Sequence, residues 1–112
     1  MALAVSYNVS VRSLSIVIPA YNEEDRIGRT LARIREYYSG QNYTWRVTTV
    51  SDGSKDNTSK VAADVVGDDD RFRVIAYEQN RGKGYAVRVG MLAANADRIL
   101  FCDADLATPQ EE

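Results

Sequence analysis

Cysteine is all but absent from this 112-residue chain: Cys102 is the only one, which excludes an internal disulfide. Long apolar runs are missing too, and no stretch approaches the roughly 18 consecutive apolar residues of a membrane span. Nor is there an excess of charge of one sign. Fourteen Lys and Arg stand against 16 Asp and Glu, for a formal net charge of -2, so no broad basic surface exists and nucleic acid is disfavoured as a principal ligand. The opening MALAVSYNVSVRS has neither a charged n-region nor a long apolar run. No secretory signal is evident, and a cytoplasmic chain is expected. The Asn-x-Ser/Thr triplets at Asn8, Asn42 and Asn57 are then chance matches, because glycosylation requires a secretory route. No repeat, low-complexity tract or linker divides the chain. It reads as an N-terminal extension over 1–13 and one domain over 14–112, with 45% hydrophobic residues to build a core.

What is present is alternation. LSIVI (14–18), RVTTV (46–50), RVIAY (73–77) and ILFC (99–102) are short β-branched or apolar runs, the pattern of parallel strands buried on both faces. Each gap holds a helix. Ile27, Leu31, Ile34 and Tyr38 recur at spacings of three and four within 24–38, with Asn22 placed to cap the start. A second helix is expected over 58–66 with Val61, Ala62 and Val65 inward, and a third over 83–95 carrying Ala86, Val87, Val89, Met91 and Leu92. This β-α-β-α-β-α-β order predicts an α/β fold: an open, mainly parallel, Rossmann-like sheet with right-handed crossovers.

Each polar motif follows the carboxyl end of a strand. PAYNEE follows the first, SDGSKDNT the second, EQNRGKG the third and DAD the fourth. Open α/β sheets bind ligands along that edge, at the crevice where strand order reverses; with a 3-2-1-4 order it lies between the first and fourth strands. Within DAD, Asp103 and Asp105 share one strand face and can converge on a cation. Arg81 and Lys83 open a helix, where the macrodipole disfavours cations unless an anion is bound. Helix amides, Gly82, Gly84 and two cations together suit a phosphate. The segment carries no dinucleotide fingerprint, since Val87 stands where a third glycine belongs, and no G-x-x-x-x-G-K-[ST] occurs. Asp52, at its strand end, is either an acceptor for a ligand's N–H or hydroxyl groups or part of a turn with Gly53, and Asp56 or Asn57 can cap the second helix. Tyr21 is either a stacking face or a packed aromatic.

LSIVIPAYNEE, SDGSKDNTSKVA, NRGKGYAVRVGM and DADLATP, in this order and spacing over 14–112, resemble the successive motifs of the family 2 glycosyltransferases of the GT-A fold, in particular the dolichyl-phosphate glucosyltransferase and dolichyl-phosphate mannose synthase branch. The resemblance implies that the positions of Pro19, Ala20, Tyr21, Glu23 and Asp52 hold the base and ribose of a nucleotide sugar, and that Arg81 or Lys83 lies near the nucleotide or its phosphates. Asp103 and Asp105 become the DxD motif, touching ribose and a divalent cation, Mg²⁺ or Mn²⁺. Two departures stand out. Many members carry a second acid where this chain has Ser51, and the mannose-synthase branch often has Gln at the place of Ala107. The glucosyltransferase branch tolerates that alanine, and SKDNTSKVA leans the same way.

The expected function is therefore the donor-binding part of an inverting, metal-dependent glycosyltransferase. Its donor is a UDP-glucose or GDP-mannose type of nucleotide sugar and its acceptor a polyprenyl phosphate at the cytoplasmic face of a membrane. The alternative from another class is a non-catalytic nucleotide-binding or interaction module on the same fold. A sugar nucleotidyltransferase would open with a glycine-rich loop where this chain has PAYNEE. The catalytic carboxylate of many members lies beyond the DxD motif, so no catalytic residue is assigned. Thr108, Pro109 and Glu111 form a capping box at the terminus. It points to a chain cut from a longer one, inactive alone and self-associating through its exposed fourth strand.

Overall fold

The computed structural model describes residues 13–104. Four strands, β1 (Ser13–Ala20), β2 (Thr44–Asp52), β3 (Phe72–Tyr77) and β4 (Arg98–Phe101), alternate with helices α1 (Ile27–Tyr38), α2 (Thr58–Val66) and α3 (Lys83–Ala93). All strand pairs are parallel and the order is β3-β2-β1-β4. The predicted α/β architecture and strand order are thus those observed. The capping box at Thr108, Pro109 and Glu111 lies outside the described residues.

Each face of the sheet is covered by a different set of helices. Leu14, Ile16, Ile18 and Ala20 of β1, with Trp45 and Val47 of β2 and Phe72 of β3, pack on Ile27, Leu31, Ile34 and Tyr38 of α1 and Ala62 of α2. On the other face α3 crosses β1 and β2. Gly90 sets that approach, because a Cβ there would lie 2.3 Å from Val17 Cγ1. Docking along Ala86 and Gly90 brings the helix backbone close to the sheet and turns its larger residues outward. Met91 and Leu92, two of the apolar residues the helix carries, are 44% and 80% exposed.

Two local features depart from pattern. β1 runs on through Pro19, although a central strand disfavours proline. Val17 accepts a bond from Cys102 N at the end of the β4 ladder, so residues of the same parity face β4. Pro19 meets that side beyond the last strand pair, Val17 with Phe101, where its missing N–H removes no ladder bond. α1 begins at Ile27 rather than near residue 24, and Asn22 does not cap it. Asn22 instead takes φ 54, a conformation Asn tolerates, and accepts a bond from Lys55 N at 2.8 Å.

Candidate functional site

The four strand-end loops meet in one crevice of about 410 Å³. Pro19, Ala20, Tyr21 and Glu23 come from the end of β1 and the loop after it, Asp52 from the end of β2, Asn80 and Gly82 from the loop after β3, Lys83 from the start of α3, and Asp103 and Ala104 from the segment after β4. A larger depression of about 540 Å³ lies at the opposite end of the strands, beside Arg46, Arg71, Arg73 and Ala93. It gathers none of the four motifs.

The first two loops are stitched together. Asn22 N donates to Ser54 Oγ at 3.1 Å and Glu23 N to Thr58 Oγ1 at 2.8 Å. In return Lys55 N reaches Asn22 Oδ1 at 2.8 Å and Asn57 N reaches Glu24 Oε1 at 2.9 Å. Asp56 belongs to this seam: its carboxylate accepts from Thr58 N at 3.0 Å and from the Thr58 hydroxyl, and those bonds hold its pKa below the ordinary value against the opposing effect of burial. These bonds between loops distant in sequence fix the backbone from which Tyr21, 45% exposed, and Glu23 project. Glu23 also pairs with Arg26 at 3.2 Å.

The third loop is built around Asp52. The residue is 3% exposed and its carboxylate accepts four bonds. Tyr77 Oη (2.7 Å) and Arg81 N (2.9 Å) donate to Oδ1, and Asn80 Nδ2 (2.9 Å) and Gly82 N (2.9 Å) to Oδ2. Burial, followed by the bond to Asp52, pushes the Tyr77 hydroxyl well above its ordinary pKa, so it stays a donor at neutral pH. Gly53 is equally constrained. It sits at φ +66, and a Cβ there would lie 2.1 Å from Asn80 N.

This loop sends its two cations in different directions. Arg81 is not among the residues lining the crevice; its guanidinium lies 5.4 Å over the Tyr85 ring and bonds Gln79 Oε1 at 3.2 Å. Lys83, the first residue of α3, spans the crevice to Asp103 at 2.6 Å. The anion expected at this helix start is thus supplied by the chain itself. Asp103 is held in place from behind, because Thr30 of α1 donates to the carbonyl of Ala104 at 2.5 Å. Sequence reasoning passed over Thr30, Asn80 and Tyr77. The only signal for Tyr77 was its place at the end of β3, where the register sets it beside Asp52.

For a cation, Asp103 is the DxD carboxylate within the described residues; Asp105 lies outside them. Among the described residues no cluster of three or more His, Cys, Asp or Glu forms a metal cage. One or two carboxylates with substrate phosphates are the ordinary way to hold Mg²⁺, and Asp103, with its side chain 48% exposed in the crevice, fits that mode.

Comparison with known proteins bears on the family and the fold. The family described as Glycosyl transferase family 2 matches residues 15–112. Among curated relatives, the dolichyl-phosphate beta-glucosyltransferase of Mus musculus is 39% identical over 114 residues, covering 96% of this chain and 35% of the relative. That of Drosophila melanogaster is 44% identical over 102 residues, covering 85% and 31%. The chain therefore spans about a third of the length of these relatives. Among solved structures, a mannosyltransferase from Pyrobaculum calidifontis in complex with GDP-Man and Mn²⁺ shares the fold with a TM-score of 0.75 at 24% identity, over 86% of this chain and 28% of that one. Glucosyl-3-phosphoglycerate synthase from Mycobacterium tuberculosis, in complex with Mn²⁺, UDP and phosphoglyceric acid, gives 0.71 at 30% identity, over 88% and 34%.

Proposed function

The chain belongs to glycosyl transferase family 2, and from that premise we propose that it is the donor-binding part of a glycosyltransferase that moves a hexose from a nucleoside diphosphate sugar to a polyprenyl phosphate. The observation that carries the reading is the convergence of all four strand-end motifs on one crevice. The names of the relatives, dolichyl-phosphate beta-glucosyltransferases, favour a UDP-glucose type of donor over a GDP-mannose type and support the lipid-phosphate acceptor.

The residues divide the donor between them. The exposed ring of Tyr21, with Pro19, Ala20 and Glu23, forms the wall for base and ribose. Lys83, the amides at the start of α3 and the helix dipole receive the diphosphate. In the absence of donor, Lys83 and Asp103 neutralise each other at 2.6 Å. Donor binding exchanges partners: the Lys83 ammonium turns to the diphosphate, and the Asp103 carboxylate is released for ribose and cation. Asp105 is assigned to the same cation. A divalent ion, Mg²⁺ or Mn²⁺, when bound, neutralises the leaving diphosphate. Arg81 is part of the frame of the site, its backbone amide bonded to Asp52 and its side chain turned to Tyr85.

In-line attack at the sugar C1, with inversion, suits a lipid phosphate nucleophile, whose second pKa of about 6 leaves it largely ionised at neutral pH without a strong base. No helix among the described residues is long and apolar enough to cross a membrane; work at the cytoplasmic face of a membrane is part of the proposal. So is self-association through the outer edge of β4, where Phe101 is exposed, which sedimentation velocity tests directly.

Titration calorimetry with UDP-glucose and GDP-mannose, each with and without Mn²⁺, tests the donor assignment. Saturable binding of one of them, strengthened by the metal, is expected. Binding of neither, under both conditions, defeats it.

A further inference from the structure

Helix α1 turns Ile27, Thr30, Leu31, Ile34 and Tyr38 inward, and Thr30 is the member that neither helix propensity nor apolar burial explains. It is 3% exposed. A threonine inside a helix ordinarily returns its hydroxyl to the carbonyl one turn before. Here Oγ1 donates instead to the carbonyl of Ala104, 74 residues along the chain, at 2.5 Å. Ala104 is 2% exposed and belongs to the same apolar cluster as Ile27 and Leu31. A carbonyl buried that deeply is costly to leave unpaired.

The bond falls next to the carboxylate proposed for the cation. Cys102 N donates to Val17 O at 3.1 Å and Thr30 holds Ala104, so both neighbours of Asp103 are anchored to the protein interior. Asp103 itself turns outward, its side chain 48% exposed in the crevice and 2.6 Å from Lys83. We infer that Thr30 is a positioning residue: its hydroxyl fixes the Ala104 carbonyl and thereby aims the Asp103 carboxylate at the cation side of the donor. The wall for base and ribose is fixed separately, by the bonds from Asn22 N to Ser54 and from Glu23 N to Thr58. Removing the Thr30 hydroxyl therefore takes away the cation's share of donor affinity and spares the nucleoside's. This consequence rests on the proposed donor site, whereas the aim of Asp103 has a readout that needs no ligand.

The experiment compares the parent chain with Thr30→Val, which keeps the shape and removes the O–H, with Thr30→Ser, which keeps the O–H, and with Ile34→Val, which loosens the same helix face without touching the bond. In carbon NMR spectra of the ligand-free chain, the Ala104 carbonyl and Asp103 carboxylate signals are expected to move together in Thr30→Val, to return toward their parent positions in Thr30→Ser and to hold in Ile34→Val. An Asp103 signal that stays in place in Thr30→Val, or that moves as far in Ile34→Val, overturns the inference. In calorimetry, the gain in UDP affinity on adding Mn²⁺ is expected to fall at least roughly tenfold in Thr30→Val and to survive in Thr30→Ser and Ile34→Val, while uridine affinity holds in all three. An undiminished gain in Thr30→Val, or an equal loss for uridine, also overturns it. Should Thr30→Val not fold, Thr30→Ala, which removes the same hydroxyl and favours the helix, takes its place. If the parent binds no nucleotide, the donor-site proposal fails, and the carbon spectra still judge the role of Thr30.

Discussion

Replacing Gly53 by alanine probes the contact that shapes the crevice. Two costs combine. Holding an L-residue at φ +66 costs about 1 to 2 kcal/mol. The new Cβ also stands 2.1 Å from Asn80 N, 2.5 Å from Gln79 C and 2.6 Å from Asn80 Cα, all of them backbone atoms that cannot swing aside as a flexible side chain would. Ordinary contact begins at 3.4 Å, so the loop must retreat by 1.3 Å. Such a shift stretches the 2.9 Å bonds from Asn80, Arg81 and Gly82 to Asp52 beyond useful length. Loss of even one bond to a charged group costs about 2 kcal/mol, which gives a total of about 3 to 4 kcal/mol. Gly82→Ala is the control. It also has a positive φ, +100 with ψ 159, but a Cβ there meets nothing within 4 Å, so only the conformational cost of about 1 to 3 kcal/mol applies. Urea denaturation of both variants measures the difference. Equal destabilisation would refute the claim that Gly53 is required by backbone packing.

Three further outcomes follow from other contacts. Lys83→Ala is expected to weaken UDP binding by about 2 kcal/mol and uridine binding much less; equal losses by calorimetry would remove Lys83 from the phosphate side. Asp69 is held well below the ordinary carboxylate pKa, first by its side-chain bonds to Arg71 at 2.9 and 2.8 Å and also by Arg35 at 3.1 Å, with burial opposing. Because the folded pKa is the lower one, this stabilisation is present above the unfolded value of about 3.9 and is lost as pH falls toward the folded value. The stability gap between the parent and Asp69→Asn should therefore narrow from pH 6 to pH 3 in urea titrations, and a gap independent of pH would contradict the assignment. Thr49 Oγ1 is buried and has no hydrogen-bond partner among the described residues, so Thr49→Val should raise stability by about 1 kcal/mol; a loss in thermal or urea unfolding would show that the hydroxyl is satisfied.

Much of the fold was legible because it depends on spacing. The apolar stripe Ile27, Leu31, Ile34 and Tyr38 is the buried face of α1, and four apolar runs separated by helical stretches force parallel strands with their loops on one edge. The parts that escaped depend on contacts between distant loops. Nothing near Asp52 in the chain indicates that Asn80, Arg81 and Gly82 fill its acceptor positions. Arg81 and Lys83, two residues apart, read alike as cations, yet the conformation at Gly82 turns one to Tyr85 and the other to Asp103. Met91 and Leu92 are among the apolar residues of the third helix, and their hydrophobicity does not say which way they face. The close approach of Gly90 to Val17 fixes the rotation of α3 and leaves both outside.

The central claim is that a nucleoside diphosphate and its cation sit between β1 and β4 at the strand ends. Amide NMR spectra recorded with UDP-glucose and Mg²⁺, then with Mn²⁺ as a paramagnetic probe, locate both. Shifts are expected to be confined to residues 20–23, 80–83 and 102–104, with Mn²⁺ broadening strongest around Asp103. Shifts centred instead on Ser13–Ser15, Arg46 and Arg73 at the opposite end of the sheet, or no saturable shifts at all, would contradict it.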